Sequence, residues 1–488
     1  MSRRQLPDLG HIEALRKVDV AEPLERAHFE RAGNHVFIGQ RKHRGSNDAL
    51  IYLGKCIEST RIANKYDANV WLDVRTPHVI YIVGKRGSGK SYDLGILAEG
   101  LLLDADSRIA TKDTAITTVI FDTQDQFWAL GGAPSEGIAE DRDQIADVRK
   151  WGLAPERIGN IRIFSPRGES SDIANTSEYS IDPAELSIDD WCSLLQEDRY
   201  TPIGHTVETL LDKVAHKGYT TTGSPPGGGG RRIPAKPRFD LKDLLECLRD
   251  DQDLSLTTAQ QTRNAVLWRL SGLSNTSLFA SGGMNARDLL RPGQLAVFLM
   301  RKLDNATKAI VVSVLAKQIF TLMGEFHTRR KVSHRTQTAM APGYEGLPDG
   351  AWVIIDEAHL VCPADQHTSA KAVLIEYVKR GRDAGLSLVL ATQQPSAIDP
   401  RVLSQADVVI THRLVMESDI NAALSRMPAG LPTKVGISGQ DVTNPSALIR
   451  MLDTREAWIA DAESSRAFLV AMRPRLTAHG GDEPVLVK

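Results

Sequence analysis

Cysteine is scarce. The 488 residues hold four, Cys56, Cys192, Cys247 and Cys362, far apart and with no C-x-x-C pair. That spacing excludes a disulfide framework and a cysteine-based zinc site, and leaves reduced thiols in a cytoplasmic protein as the expectation. Long apolar runs are missing too. No stretch approaches the roughly 20 residues that a bilayer-spanning helix needs. The nearest, Ala309 to Met323, carries Lys317 and Gln318 and reads as a buried helix, so no membrane partner is expected. The start, Met-Ser-Arg-Arg-Gln-Leu-Pro-Asp, lacks the apolar core of a secretory signal. Neither sign of charge prevails: 59 Lys and Arg against 61 Asp and Glu give a net −2. This excludes a surface coated in basic charge, but not a local basic channel. With 42% hydrophobic and 25% charged residues, the chain can bury a sizeable core. Its length suits one large α/β domain with additions, or two to three ordinary domains.

One stretch organises the rest. Gly84-Lys85-Arg86-Gly87-Ser88-Gly89-Lys90-Ser91 reads G-x-x-x-x-G-K-S, a phosphate-binding loop. Val79 to Val83 before it suits a buried parallel strand, and Tyr92 to Leu103 after it reads as a helix. Gly84, Gly87 and Gly89 allow positive φ and close backbone approach. The loop N–H groups and the helix N-terminus then face phosphate oxygens. Lys90 is expected on the β and γ phosphates and Ser91 on a magnesium ion. The nucleotide-contacting candidates are Gly84, Gly87, Ser88, Gly89, Lys90, Ser91 and Tyr92.

Residues 1 to about 47 are polar and basic with little strand pattern and read as an arm. Asp48 to Ile57 and Asn69 to Val74 read as strands of a small β-subdomain, closing a first segment at 77. Buried strands follow at Thr117 to Asp122, Ile161 to Ser165, Gln294 to Met300, Trp352 to Asp356, Leu386 to Thr392 and Asp407 to Arg413. Helical spacing occurs at Leu186 to Gln196, His205 to His216, Leu241 to Arg249 and Thr257 to Leu273, which marks a helical insertion around 185–290. Lys308 to Phe326 and Lys371 to Ala384 read as helices within the βα alternation. Thr220 to Arg238, with Gly227 to Gly230 in a row, and Thr328 to Gly350 read as mobile loops. Arg231, Arg232, Lys236 and Arg238 make the first either a solvated surface loop or a basic loop touching nucleic acid phosphate. The alternation from 78 to 470 predicts an α/β fold with a mostly parallel central sheet.

Val353-Ile354-Ile355-Asp356-Glu357 is an apolar strand ending in two carboxylates. Asp356 is expected to hold the magnesium ion through water, and Glu357 to act as general base on the attacking water. Thr392-Gln393 ends the next strand, at the shared edge where a phosphate sits, so Gln393 is placed to sense the γ phosphate. Arg380 and Arg382 lie between those two strands. Each is either a surface cation paired with Glu376 or Asp383, or an arginine finger for a neighbouring subunit.

These stretches resemble the HerA–FtsK superfamily of DNA-pumping ATPases, and the HerA branch most closely. The resemblance rests on the phosphate loop, on Val353-Ile-Ile-Asp-Glu-Ala-His359, and on the run Lys379 to Asp407 with its G-R-D-A-G, T-Q-Q-P-S and D-P-R-V-L-S-Q segments. It implies a RecA-like P-loop ATPase using ATP and magnesium, with Lys90, Ser91, Glu357 and Gln393 in the roles given above and Arg382 as the finger in trans. It also implies a closed homohexamer around double-stranded DNA, acting with a nuclease or a sirtuin-like effector in DNA-end processing or phage defence. Two departures stand out: only 83 residues precede the loop, so the family's N-terminal β-barrel is expected to be reduced or absent, and Lys85-Arg86 replaces small residues. The tail, Met472 to Gly481 within 471–488, resembles an extension that braces a neighbouring subunit.

Rival readings fare worse. Asp356-Glu357-Ala358-His359 spells the box of DEAH helicases, but only about 75 residues follow Arg413, too few for their second domain, and the Q-x-x-G-R-x-G-R motif is absent. A GTPase would need a guanine-reading N-K-x-D, which Thr111-Lys112-Asp113 imitates poorly. A nucleotide-gated scaffold that licenses an effector without moving DNA remains open, because hydrolysis residues serve a switch as well as a motor.

Overall fold

The computed structural model describes residues 35–39, 49–57, 68–169, 171–222, 230–274, 276–339, 342–427, 435–437 and 440–480. One sheet of thirteen strands carries the fold. In chain order these are β1 (His35–Ile38), β2 (Leu50–Cys56), β3 (Asn69–Asp73), β4 (Val79–Val83), β5 (Thr117–Asp122), β6 (Ile161–Pro166) and β7 (Thr176–Tyr179). Then come β8 (Leu295–Leu299), β9 (Ala351–Ile355), β10 (Leu386–Thr392), β11 (Val408–Thr411), β12 (Glu456–Asp461) and β13 (Arg466–Met472). Their spatial order is β1-β3-β2-β13-β12-β11-β4-β10-β9-β5-β8-β6-β7. From β11 to β7 every neighbouring pair is parallel. The central strands are unbroken apolar runs, VIYIV, LAVFL and AWVII, buried at every residue. Strands of that kind need cover on both faces, which the crossover helices supply. The expected α/β fold with a mostly parallel sheet is present.

Three helices bear on the site and its surroundings: α1 (Lys90–Leu102), α2 (Asn305–Thr336) and α3 (Ser369–Arg380). Between β7 and β8 lie further helices, among them Ile188–Leu194, Pro202–Asp212, Leu241–Asp250 and Gln260–Ser274, in the region of the expected insertion. α2 is long and apolar enough to cross a bilayer. Its residues 307–316 are all buried inside the protein, which is what a core helix shows.

Several expectations need correction. His35–Ile38 is a strand, although its surroundings read as an arm. The N-terminal strands do not stand apart as a subdomain: β13 pairs antiparallel with β2, so the sheet runs across the boundaries expected at 77 and 470. Residues 328–336 are helix, not loop, because α2 continues through them and ends at Gln337 in the left-handed region. The base of the 220–238 loop is a ribbon, Tyr219–Thr220 against Arg232–Ile233, while 223–229 lie outside the described residues.

The tail is the largest correction. Arg473, Arg475, Leu476 and Thr477 are fully buried in their own chain. Glu99 of α1 accepts from Arg473 Nη1 at 2.6 Å and from the backbone N–H of Leu476 and Thr477, both at 2.8 Å. This part of the tail is therefore not free to brace a neighbour; 481–488 lie outside the described residues. The arrangement explains a glycine inside α1. A Cβ on Gly95 would sit 2.5 Å from Arg475 Nε. A mid-helix glycine costs about 1 kcal/mol against alanine, and here it makes room for the guanidinium.

Candidate active site

Parallel register brings the carboxyl ends of four strands together. Thr392 of β10 lies beside Val83 of β4, and Ile355 of β9 lies between Leu390 of β10 and Phe121 of β5. The next residues are Gly84, Gln393, Asp356 and Asp122, so the phosphate loop, the glutamine and the carboxylates share one edge.

The loop turns as a phosphate cradle must. Gly87 has φ 72° and Gly89 φ 125°, both where a side chain would strain. Gly84 differs from expectation. It has no positive φ; its smallness is needed because a Cβ would lie 2.4 Å from Ser88 Oγ and 2.6 Å from His412 Cβ. Ser88 donates to the Lys85 carbonyl at 2.7 Å, and Lys90 Nζ donates to that same carbonyl at 3.2 Å. Burial lowers the Lys90 pKa, and Glu357, Asp356 and Asp93 oppose the shift. Ser91 opens α1. Tyr92, the next residue, turns its side chain toward the tail: its hydroxyl accepts from the Arg475 N–H at 2.8 Å and its ring packs on His479.

Asp356 and Glu357 differ sharply in environment. Asp356 is fully buried, and Oδ2 has no hydrogen-bond partner among the described residues. Burial, then Glu357 and Asp122, raise its pKa to about 8. An orphaned buried carboxylate oxygen on the phosphate edge fits a hard cation, whose charge would reverse that shift. Glu357 sits at φ 47°, a left-handed position uncommon for a side chain larger than glycine. Gln393 holds it there twice. The Gln393 side-chain amide donates to Glu357 Oε1, and its backbone N–H donates to Oε2 at 3.2 Å. His359 Nδ1 stands 3.3 Å from Glu357 Oε2 and 3.0 Å from Thr392 Oγ1. Burial lowers the His359 pKa, with Lys90 acting the same way and Glu357 opposing.

The two arginines lie elsewhere. Arg382 and Gln393 bracket the seven-residue β10, so they are separated by ~20 Å. Arg382 pairs with Asp407 at 3.4 Å, and Arg380 with Glu376 at 3.7 Å. Neither reaches the nucleotide edge of its own chain. A finger role is open to them only toward a neighbouring subunit.

Two features went unrecognised in the sequence. Asp122 was visible only as a carboxylate ending a strand. It is fully buried beside Asp356, and burial raises its pKa to about 7 against the N–H bonds from Phe127 and Gln124. His412 and Asp93 form a fully buried pair at 2.7 Å beneath Gly84 and Gly89. No local pattern announces it, because 319 residues separate the partners.

Sheet order, loop and carboxylates together define the class: a P-loop ATPase fold. Comparison narrows it. The family described as "Helicase HerA, central domain" matches residues 51–319, and the chain belongs to that family. It is similar to the DNA double-strand break repair helicase HerA of Sulfurisphaera tokodaii, 23% identical over 336 residues, which is 67% of this chain and 61% of that protein. It is also similar to the protein of the same name in Pyrococcus furiosus, 25% identical over 27% of this chain and 26% of that one. The chain thus spans less than two thirds of these relatives' length. Among solved structures, VirB4 of Thermoanaerobacter pseudethanolicus shares the fold. Its TM-score is 0.50 at 14% identity, covering 87% of this chain and 96% of that chain.

Proposed function

We propose that the protein hydrolyses ATP and uses it to drive double-stranded DNA through a closed ring of six copies. Membership of the HerA family supports the motor. The observation that carries the chemistry is the convergence of Lys90, Asp356, Glu357 and Gln393 on one sheet edge. In this reading the loop N–H groups and Lys90 bind the triphosphate. Ser91 and Asp356 would hold magnesium, which when bound would supply positive charge at the transferring phosphoryl group. Glu357 takes the proton of the attacking water through the carboxylate that Gln393 now holds. Gln393 is the residue that a γ phosphate would engage, and its release would free Glu357. Arg382 of a neighbouring copy completes the site in trans. That demands head-to-tail packing, and such packing closes into a ring when the rotation permits.

The motor would work in the cytoplasm, beside a nuclease or sirtuin-like effector, in DNA-end processing or antiviral defence. The test is steady-state ATP hydrolysis with and without linear double-stranded DNA, alongside the mass in solution. A hexamer stimulated by DNA is expected. Monomer or dimer alone, with ATP and magnesium present, would remove the ring. Hydrolysis that ignores DNA would favour a scaffold that licenses an effector.

A further inference from the structure

The last turns of α2 carry an unusual face. His327, Arg330, Lys331, His334 and Arg335 follow the i, i+3, i+4, i+7, i+8 spacing that normally marks the apolar stripe of a surface helix. Here every position is basic. Together they line a shallow concavity of about 310 Å³. The stripe rises ~12 Å along the helix. Its place in the fold is fixed by two contacts. His327 Nε2 is 2.9 Å from the Asp349 carbonyl, and a Cβ on Gly385 would lie 2.5 Å from the same nitrogen. Asp349 and Gly385 precede β9 and β10, so the stripe lies at the sheet edge opposite the nucleotide loop. From Thr328 on α2 stands in solvent, with 328–332 and 334–336 exposed.

The face is hardly neutralised. Arg330 pairs with Asp349, while Lys331, His334 and Arg335 have no acidic partner among the described residues. Burial, together with Arg330 and Lys331, holds the His327 imidazole below its usual pKa, as expected in a field of positive charge. The helix dipole accounts for part of this. It favours cations in the final turn, which covers His334 and Arg335. It does not account for Arg330 and Lys331 a turn earlier, and the like-charge pair Lys331–Arg335 at i, i+4 costs a few tenths of a kcal/mol. The cleft beside the active site is the reverse. Its cavity of about 1080 Å³ is lined by five carboxylates, Asp189, Glu197, Asp198, Asp304 and Asp365, against a single arginine, Arg199.

We propose that this basic face of α2 takes up the phosphate backbone of double-stranded DNA. A protein partner is the poorer fit. Interface cores are depleted of lysine and rich in apolar side chains, and the only large apolar side chain exposed on these turns is Val332. Contacts of this type hold the duplex without reading its sequence. The inference rests on the reading of the chain as a DNA motor for the identity of the polyanion. The location is new.

The test uses the full chain, a short fluorescein-labelled duplex, and anisotropy over a salt series. The variant is Lys331→Glu with Arg335→Glu, and a second, Lys331→Gln with Arg335→Gln, guards against an effect of reversed charge alone. Both residues are exposed and outside the catalytic edge, so hydrolysis without DNA should be unchanged and reports folding. Expected is weaker binding, equal for AT-rich and GC-rich duplexes, with the slope of log K against log salt shallower by about 2. If the wild type binds and both variants match its affinity and slope, the inference is overturned and the motor reading stands. If the wild type hydrolyses ATP but binds no duplex at all, the DNA reading fails and takes the inference with it. Variants that bind duplex normally but lose ring assembly would make the stripe a subunit contact, which also overturns it.

Discussion

Glu99→Ala tests whether the buried tail cluster holds the nucleotide helix in place. Glu99 is fully buried, with four charged or polar donors on its two oxygens: Arg473 Nη1 at 2.6 Å, Leu476 N and Thr477 N at 2.8 Å, and Thr477 Oγ1 at 2.7 Å. Arg475 Nε lies 3.9 Å away, and both guanidinium groups are fully buried. Removing the carboxylate leaves two buried cations without a counter-charge. Breaking one buried pair costs about 3–5 kcal/mol. Each backbone N–H left without an acceptor adds about 1–3 kcal/mol if it stays dry. The sum has a ceiling: the tail can leave its groove, and the loss then equals the cost of exposing Leu476 and undoing the Tyr92 contact. The expected outcome is a destabilisation of about 3–5 kcal/mol in urea unfolding, with new protease cleavage between 473 and 480 and weaker nucleotide binding, because α1 carries Lys90 and Ser91 at its other end. Glu99→Gln, which keeps an acceptor and drops the charge, should fall between. A shift below about 0.5 kcal/mol for Glu99→Ala, within the range of a surface change, would refute the reasoning.

Glu357→Gln should bind ATP normally and lose turnover by about 10²–10⁴, measured by fluorescent-nucleotide binding and phosphate release; wild-type turnover would remove Glu357 from the chemistry. Arg382→Ala should keep ATP binding and lose about 10³–10⁵ in turnover. Mixing the two inactive variants should restore some activity, since a ring junction can then combine an intact Glu357 with a neighbour's intact Arg382; no recovery would count against a finger in trans. The buried His78–Asp407 pair, 3.0 Å apart, sets a pH window. Burial works against the His78 charge, yet Asp407 and the Asp73 carbonyl outweigh it and raise the pKa, so that contribution is present below about 6.5 and lost as pH rises through the folded value. Burial likewise works against the Asp407 charge, and His78, the Val79 N–H and Arg382 lower its pKa, so that contribution is present above about 4 and lost as pH falls through the folded value. The stability difference between wild type and Asp407→Asn should therefore be largest between about pH 4 and 6.5 and shrink on both sides; a difference flat from acid to alkaline pH would refute it.

What the sequence revealed was local. Three glycines and a Lys-Ser within eight residues announce the loop, and apolar runs ending in Asp-Glu or Thr-Gln announce the strand ends. Parallel register then makes the meeting of Glu357 and Gln393 foreseeable, because adjacent strands in one edge leave little freedom. Asp122 was harder. Its approach to Asp356 needs β9 to insert between β10 and β5, a choice that no stretch of residues encodes by itself. The pairs His412–Asp93, Arg382–Asp407 and Arg473–Glu99 are likewise products of sheet order. The basic end of α2 was misread for a different reason. Helix reading depends on apolar periodicity, and His-Thr-Arg-Arg-Lys-Val-Ser-His-Arg offers only one apolar side chain. Propagation from an existing helix needs no such signal: once the buried turns from Thr307 to Ala316 are nucleated by the core, each further residue adds a hydrogen bond at little cost. The periodicity was there in charge, not in hydropathy. A helix that extends past its core on basic and polar residues gains little burial from doing so, which is the ground for the proposal that its face takes a ligand rather than a packing partner.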